Sequence, residues 1–271
     1  MYANANNITS MMLRRRASAA PDPILALFAS GEQGSWYDPS DSSTSFTDVS
    51  KTTSAGSDDA VRNEADKSGN SHDITTPNTA NAPLRETSGG LWWHSGDGVD
   101  DWLTASSLPA GQNTLFVAVA CRIVSGTDNL PAIIARADNI GDKNFALRLN
   151  TSNEVEFLRY KSNDTTSWER TALAGQDNLN VDDVVALELD GGVGSLKSIR
   201  TGASVAISSG TTGDMDTIST LQLFRYLQDG SFIRYTQGRI YGAVYAHGSY
   251  PADTIKAVTD HLADLAGVTP A

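Results

Sequence analysis

Apolar residues alternate with polar ones along much of the second two-thirds of this chain, and recur at steps of three and four only at its end. In Asn144-Phe145-Ala146-Leu147-Arg148-Leu149-Asn150 and Val155-Glu156-Phe157-Leu158-Arg159-Tyr160, apolar side chains occupy mainly every second position. That period predicts antiparallel strands with one core face and one wet face, joined by a hairpin at Thr151-Ser152-Asn153. Further strand signals lie at Leu91–Trp93, Leu115–Val124, Ala132–Arg136, Val184–Leu189, Lys197–Arg200, Val205–Ser208, Leu221–Arg225 and Ile233–Tyr245, most of them bounded by Gly, Asn or Asp. With no helical period between them, the strands predict an all-β protein of two packed antiparallel sheets, and doubly wound α/β folds are set aside.

The ends read differently. Ile255, Val258, Leu262 and Leu265, preceded by a cap and a first-turn proline in Ser249-Tyr250-Pro251-Ala252-Asp253 and stopped by Gly267, predict a helix over 251–266. Residues 35 to 83 are polar and turn-rich, so strands there should be short. Residues 1–20 are rich in Asn, Ala, Ser and Arg without a period that buries a face, which predicts an extended, flexible arm. Between arm and sandwich, Ile24-Leu25-Ala26-Leu27-Phe28 is a short apolar patch. It must dock either on the chain's own sandwich or on a neighbouring subunit. The expected organisation is an anchoring arm with this patch over 1–30 and one sandwich over 31–271; 271 residues require no second domain.

Three segments place turn formers beside aromatic or aliphatic anchors: Trp36-Tyr37-Asp38-Pro39-Ser40-Asp41, Asp66-Lys67-Ser68-Gly69-Asn70 and Asp97-Gly98-Val99-Asp100-Asp101-Trp102-Leu103. In that order, and with the final helix carrying His261-Leu262-Ala263 and then Gly267-Val268, the chain resembles concanavalin A-like (laminin-G-like) sandwich domains, particularly those of tailed-bacteriophage structural proteins. The resemblance covers about residues 31 to 268, with specific signals near both ends and generic strand pattern between. It implies a jelly-roll sandwich, a place in a virion assembled in the host cytoplasm, a role in adhesion, and trimers.

Charge narrows the partners. Twenty Lys plus Arg against 32 Asp plus Glu leave a net charge of −12, which repels phosphate backbones and argues against nucleic acid. The cluster Arg14-Arg15-Arg16 is better suited to pairing with an acidic protein surface, which would anchor the arm to the particle. No apolar run approaches a membrane span, and the arginines follow rather than precede Met11-Met12-Leu13, unlike a signal peptide. The expectation is a soluble chain without membrane insertion. The single cysteine, Cys121, follows an apolar run and reads as a buried small hydrophobe.

Catalytic patterns are thin. The one Glu-x-Glu, Glu154-Val155-Glu156, lacks the Glu-x-Asp-x-x-Glu strand motif of hydrolases that share the resembled fold, and Glu156 reads as solvated. His72, His94, His247 and His261 lack triad or ligand spacings, and no Gly-x-Ser-x-Gly elbow exists. Asp97, Asp100 and Asp101 are closely spaced hard-oxygen donors: either turn carboxylates, with Val99 and Trp102 pointing inward, or a calcium site of the kind laminin-G-like domains hold at a sheet rim. Otherwise no cofactor is expected. Trp168 beside Asn163 and Asp164 offers the aromatic platform and polar groups of a glycan site, or merely covers a sheet edge. Trp92 and Trp93 are adjacent and must face opposite ways, while Trp36 and Trp102 read as core anchors. The expected function is a non-enzymatic virion protein, a tail fibre or tail-tip subunit binding a host surface glycan or receptor and contacting other virion proteins through its arm. A capsid decoration or head-fibre protein is the alternative in the same setting, and a secreted glycan-binding protein or glycanase the alternative from another class.

Overall fold

The computed structural model describes residues 22–109, 113–126, 130–137, 143–160, 168–208, 219–228, 231–232 and 235–271, and of Ala137, Lys143, Asn144, Tyr160, Trp168, Leu227, Gln228, Ser231 and Phe232 the backbone alone. Arg14, Arg15, Arg16, Asn163 and Asp164 lie outside the described residues.

A short helix α1 (Pro23–Leu27) precedes the polar stretch, whose strands are brief as its composition predicts: β1 (Gly34–Tyr37), β2 (Ser45–Phe46), β3 (Asp59–Ala60), β4 (Asn63–Glu64) and β5 (Ile74–Thr75). Mostly longer strands follow: β6 (Leu84–Ser88), β7 (Leu91–Asp97), the short β8 (Leu103–Ala105), β9 (Leu115–Gly126), β10 (Ala132–Ala137), β11 (Lys143–Leu149), β12 (Val155–Tyr160) and β13 (Trp168–Ala172). The remainder are β14 (Asp182–Asp190), β15 (Val193–Ser198), β16 (Ser204–Ile207), β17 (Leu221–Leu223), β18 (Leu227–Gln228), β19 (Ser231–Phe232), β20 (Thr236–His247) and the closing helix α2 (Ala252–Ala266).

Two antiparallel sheets result. The first runs β16-β15-β14-β9-β20-β7-β6-β3, with β1 also paired to β20; the second runs β13-β12-β11-β10-β17-β8-β5-β4-β2. Their facing sides bury Val117, Val119, Val185, Leu187 and Tyr245 against Ile134, Phe145, Leu147, Phe157 and Leu223. Cys121 is buried in the same core, where burial and the nearby Asp183 and Asp182 carboxylates raise its thiol pKa. The all-β sandwich expected from the alternating pattern is the fold observed.

The outward side of the first sheet is apolar and covered. Phe116, Ala118, Val184 and Val244 meet Ile255, Val258, Leu262 and Ala266 of α2. Pro251 is the N-cap of α2 rather than a first-turn residue, one position earlier than the pattern suggested. At the other end Gly267 takes φ 65°, and its N–H reaches the Ala263 and Asp264 carbonyls, the left-handed ending that glycine permits. Helix and sheet approach closely at Gly242, where a Cβ would sit 3.0 Å from Leu262. Helix α1 joins this layer: Asp22 caps it by accepting from the Ile24 N–H at 2.9 Å, and Ile24, Leu27 and Phe28 bury in the same cluster. The apolar patch at 24–28 therefore docks on its own sandwich.

The second sheet corrects the expected wet face of β11 and β12. The hairpin forms, with Asn153 at φ 59° donating to the Asn150 carbonyl at 3.0 Å. Yet Arg148 and Glu156, cross-strand partners on the outward side, are each only 3% exposed. Their ion pair closes at 2.7 Å from Arg148 Nε to Glu156 Oε1. Beside them Tyr226 covers a floor of Ala132, Ala135, Ala146 and Leu158. Alternation marks which positions are polar; it does not say that water reaches them, and an opposed Arg and Glu can be buried together.

Candidate functional site

The first two turn-rich segments meet. Asp66 accepts from the N–H of Trp36 at 2.9 Å, of Ser68 at 2.8 Å and of His72 at 3.0 Å, tying β1 to the loop before β5. Lys67 Nζ reaches Asp38 at 2.7 Å and Asp41 at 3.0 Å and lies 4.2 Å over the buried Trp36 ring. Burial works to raise the Asp41 carboxyl, but hydrogen bonds from Ser43 and the neighbouring Lys67 outweigh it and hold it at about 2. Every one of these groups is used to close a loop.

Next to this knot lies a serine, a histidine and a carboxylate that sequence spacing did not reveal. Ser45 Oγ donates to Glu64 Oε2 at 2.5 Å, and His94 Nε2 stands 3.4 Å from both. Catalysis would need the imidazole between nucleophile and acid, one on each nitrogen, with the hydroxyl open to substrate. Here both partners share one nitrogen, and all three residues are buried. Thr44 also donates to Glu64, at 2.8 Å. The arrangement fastens β2 and β4 to β7, and residues 19 and 49 positions apart in sequence carry no local signal of it.

Of the other histidines, His72 keeps a buried Nε2 without a hydrogen-bond partner, while His247 and His261 are engaged. Tyr245 Oη and His247 Nε2 are 2.7 Å apart, with Arg136 donating to the same phenol. Burial, with Arg136 and His72 adding to it, lowers His247 to about 4. His261 packs edge-on to Trp36 with ring centroids 6.3 Å apart. Glu154 accepts from Asn150 at 2.9 Å and from the Gly175 N–H at 2.6 Å, while Glu156 is held by Arg148. Among the described residues the Glu-x-Glu does not form an open acid pair.

The third segment does bring its carboxylates together. One oxygen from each of Asp97, Asp100 and Asp101 lies within 4.8 Å of the others. Gly98, at φ 81°, turns the chain so that the Val99 N–H bonds back to Asp97 Oδ1 at 2.7 Å. Asp101 Oδ2 accepts from the Asp97 N–H at 2.9 Å, and Asp100 Oδ2 from Asn81 at 2.8 Å. Burial, helped by the charges of Asp97 and Asp100, pushes the Asp101 carboxyl up to about 6 against the pull of that backbone hydrogen bond. The donors are of the type calcium takes, and the same oxygens hold the turn. Val99 does not point inward: it is 66% exposed, because the left-handed glycine swings it to solvent. Trp102 is half-buried with the Arg225 guanidinium 3.4 Å over its ring, Trp93 is buried beneath the helical layer, and Trp92 stacks under Arg85 at 3.9 Å.

Trp168 begins β13, its backbone opposite Tyr160 at the end of β12. One position inward, Arg159 donates to the Gly192 carbonyl at 3.2 Å and to Glu169 at 3.1 Å. The start of β13 and the turn between β14 and β15 therefore share one end of the sandwich.

No family model matches the sequence, and no curated protein does. The fold is similar to the binding domain of botulinum neurotoxin serotype G, with a TM-score of 0.56 at 9% identity over 73% of this chain and 48% of that one. It is similar to the binding domain of paraclostridial mosquitocidal protein 1, with a TM-score of 0.54 at 8% identity over 73% of this chain and 49% of that one. It also resembles domain 4 of AbnA, a GH43 extracellular arabinanase from Geobacillus stearothermophilus, solved in complex with arabinotriose; there the TM-score is 0.55 at 13% identity over 87% of this chain and 100% of that domain. The match thus spans about half the length of the toxin domains. These likenesses define a two-sheet β-sandwich fold.

Proposed function

We propose that the chain is a non-catalytic, glycan- or receptor-binding sandwich of a tailed-bacteriophage virion, a tail fibre or tail-tip subunit that trimerises and is anchored through the arm bearing Arg14, Arg15 and Arg16. The observation that carries the absence of catalysis is the state of its acids and bases: among the described residues, Glu64, His94, Glu156 and His247 are buried in fixed structural pairs. The binding role is supported by a sandwich fold similar to three binding domains or carbohydrate-complexed domains. The virion setting rests on the resemblance carried by the three turn-rich segments. In this reading Trp168, Asn163 and Asp164 contact glycan, and Asp97, Asp100 and Asp101 hold a calcium ion that stiffens the rim.

Labelled antibody against the protein, imaged on purified particles, tests the setting. Label at the tail tip or fibres is expected; label on the capsid would favour the decoration role, and no label on any particle would refute a virion protein. Deleting residues 1–20 should lower incorporation, and full occupancy without them would refute the anchoring arm.

A further inference from the structure

Where α2 stops covering the first sheet, its outward side changes chemistry. Ala186 lies beneath the helix, but Glu188 and Asp190, two and four residues further along the same side of β14, lie beyond it. The register pairs Glu188 with Ser195 and Asp190 with Val193. Cross-strand partners share a face, so a carboxylate, a second carboxylate, a hydroxyl and an aliphatic side chain stand together. Gly191 and Gly192, at φ 58° and 93°, form the two-residue turn that locks this arrangement. Tyr250, edge-on to Phe116 at 6.3 Å, and Ile255 wall the other side. The cleft between them has a volume of about 190 Å³.

We propose that this cleft holds one neutral pyranose ring of a surface glycan, an inference that rests on the glycan-binding reading above. Both carboxylates are already oriented: Lys197 holds Glu188 at 2.5 Å, and Thr114 donates to Asp190 at 3.3 Å. Each keeps lone pairs for sugar hydroxyls. Val193, 48% exposed, and the Tyr250 ring supply the apolar surface that a pyranose C–H face needs. Two carboxylates repel an acidic sugar, and Lys197 cancels one of the charges that would attract an amine. The volume lies below the roughly 300–1,000 Å³ of drug-sized pockets, which suits a single ring rather than an oligosaccharide. Its place at the same end as the start of β13 lets a longer glycan span the cleft and the Trp168 strand.

Titrating the ¹⁵N-labelled full chain with the methyl glycosides of glucose, galactose and mannose tests this. The backbone amides of Gly191, Gly192, Gly194 and Gly248 should shift with at least one of them, at millimolar affinity. Asp190→Ala and Val193→Glu alter exposed side chains and should weaken that binding about tenfold or more while leaving the remaining spectrum in place. Absence of shifts at those glycines, with host polysaccharide still bound, would overturn the cleft and spare the wider reading. Stronger shifts with butylammonium than with any glycoside would also overturn it. If neither glycosides nor polysaccharide bind, the glycan reading itself falls.

Discussion

On the outward side of the first sheet, Phe116, Ala118, Val184 and Val244 are covered by the apolar side chains of two helices. On the outward side of the second, Ala146 and Leu158 lie under Tyr226, and Arg148 is buried against Glu156. Both sides exclude water, but the first does so by burying hydrocarbon and the second by burying a charge with its partner. The two should fail differently. Losing a methyl group costs transfer free energy plus a cavity; losing one member of a buried pair leaves a desolvated charge behind.

The largest expected effect is therefore on the second sheet. Glu156→Ala should destabilise by about 3–5 kcal/mol in urea unfolding, whereas replacing Arg148 and Glu156 together by Met and Leu should be neutral or stabilising by about 1–4 kcal/mol. If the single and double variants lose equal stability, the pair is not what seals that side. Leu262→Ala, under the helical layer, should cost about 2–5 kcal/mol, and its effect should be independent of salt.

How much of this contrast the sequence discloses follows from the range of each signal. The three- and four-residue steps of Ile255, Val258 and Leu262 and the two-residue period of β11 and β12 are local, so the sandwich, the closing helix and the 151–153 hairpin were all readable. That Arg148 and Glu156 would be buried depends on what packs over that side of the sheet from elsewhere in the chain, and no local pattern encodes such a cover. The same holds for Glu64 with Ser45 and His94, each unremarkable alone. Among the candidate sites, the clustering of Asp97, Asp100 and Asp101 was readable from their spacing, but the outward swing of Val99 followed from the backbone at Gly98. The Glu188–Asp190–Val193–Ser195 face is not legible, because the strand signal at Lys197–Arg200 begins too late to expose the pairing of β15 with β14 across the Gly191-Gly192 turn.

A smaller effect probes the rim. The Asp101 carboxyl, raised to about 6 in the folded chain, has an unfolded value near 3.9, so the protonated form favours folding. That stabilisation is complete below about pH 4 and lost as pH rises through about 6. Between those limits the Tm of the parent should fall relative to that of Asp101→Asn, which retains an acceptor for the Asp97 N–H. Calcium should raise Tm more above pH 7 than below pH 5, and the variant should lose most of that gain; equal Tm profiles with and without the ion would remove the metal from the account. The smallest effect belongs to the exposed Lys256–Asp260 pair on α2, 2.6 Å apart. Lys256→Ala should cost no more than about 0.5 kcal/mol, which calibrates how little a solvated pair contributes beside the sealed one.

Mixing the full chain with purified host surface polysaccharide, then measuring both co-sedimentation and new reducing ends, tests the central claim most directly. Saturable binding without released oligosaccharide is the predicted result. Steady release of oligosaccharide, or no binding at all, would contradict it.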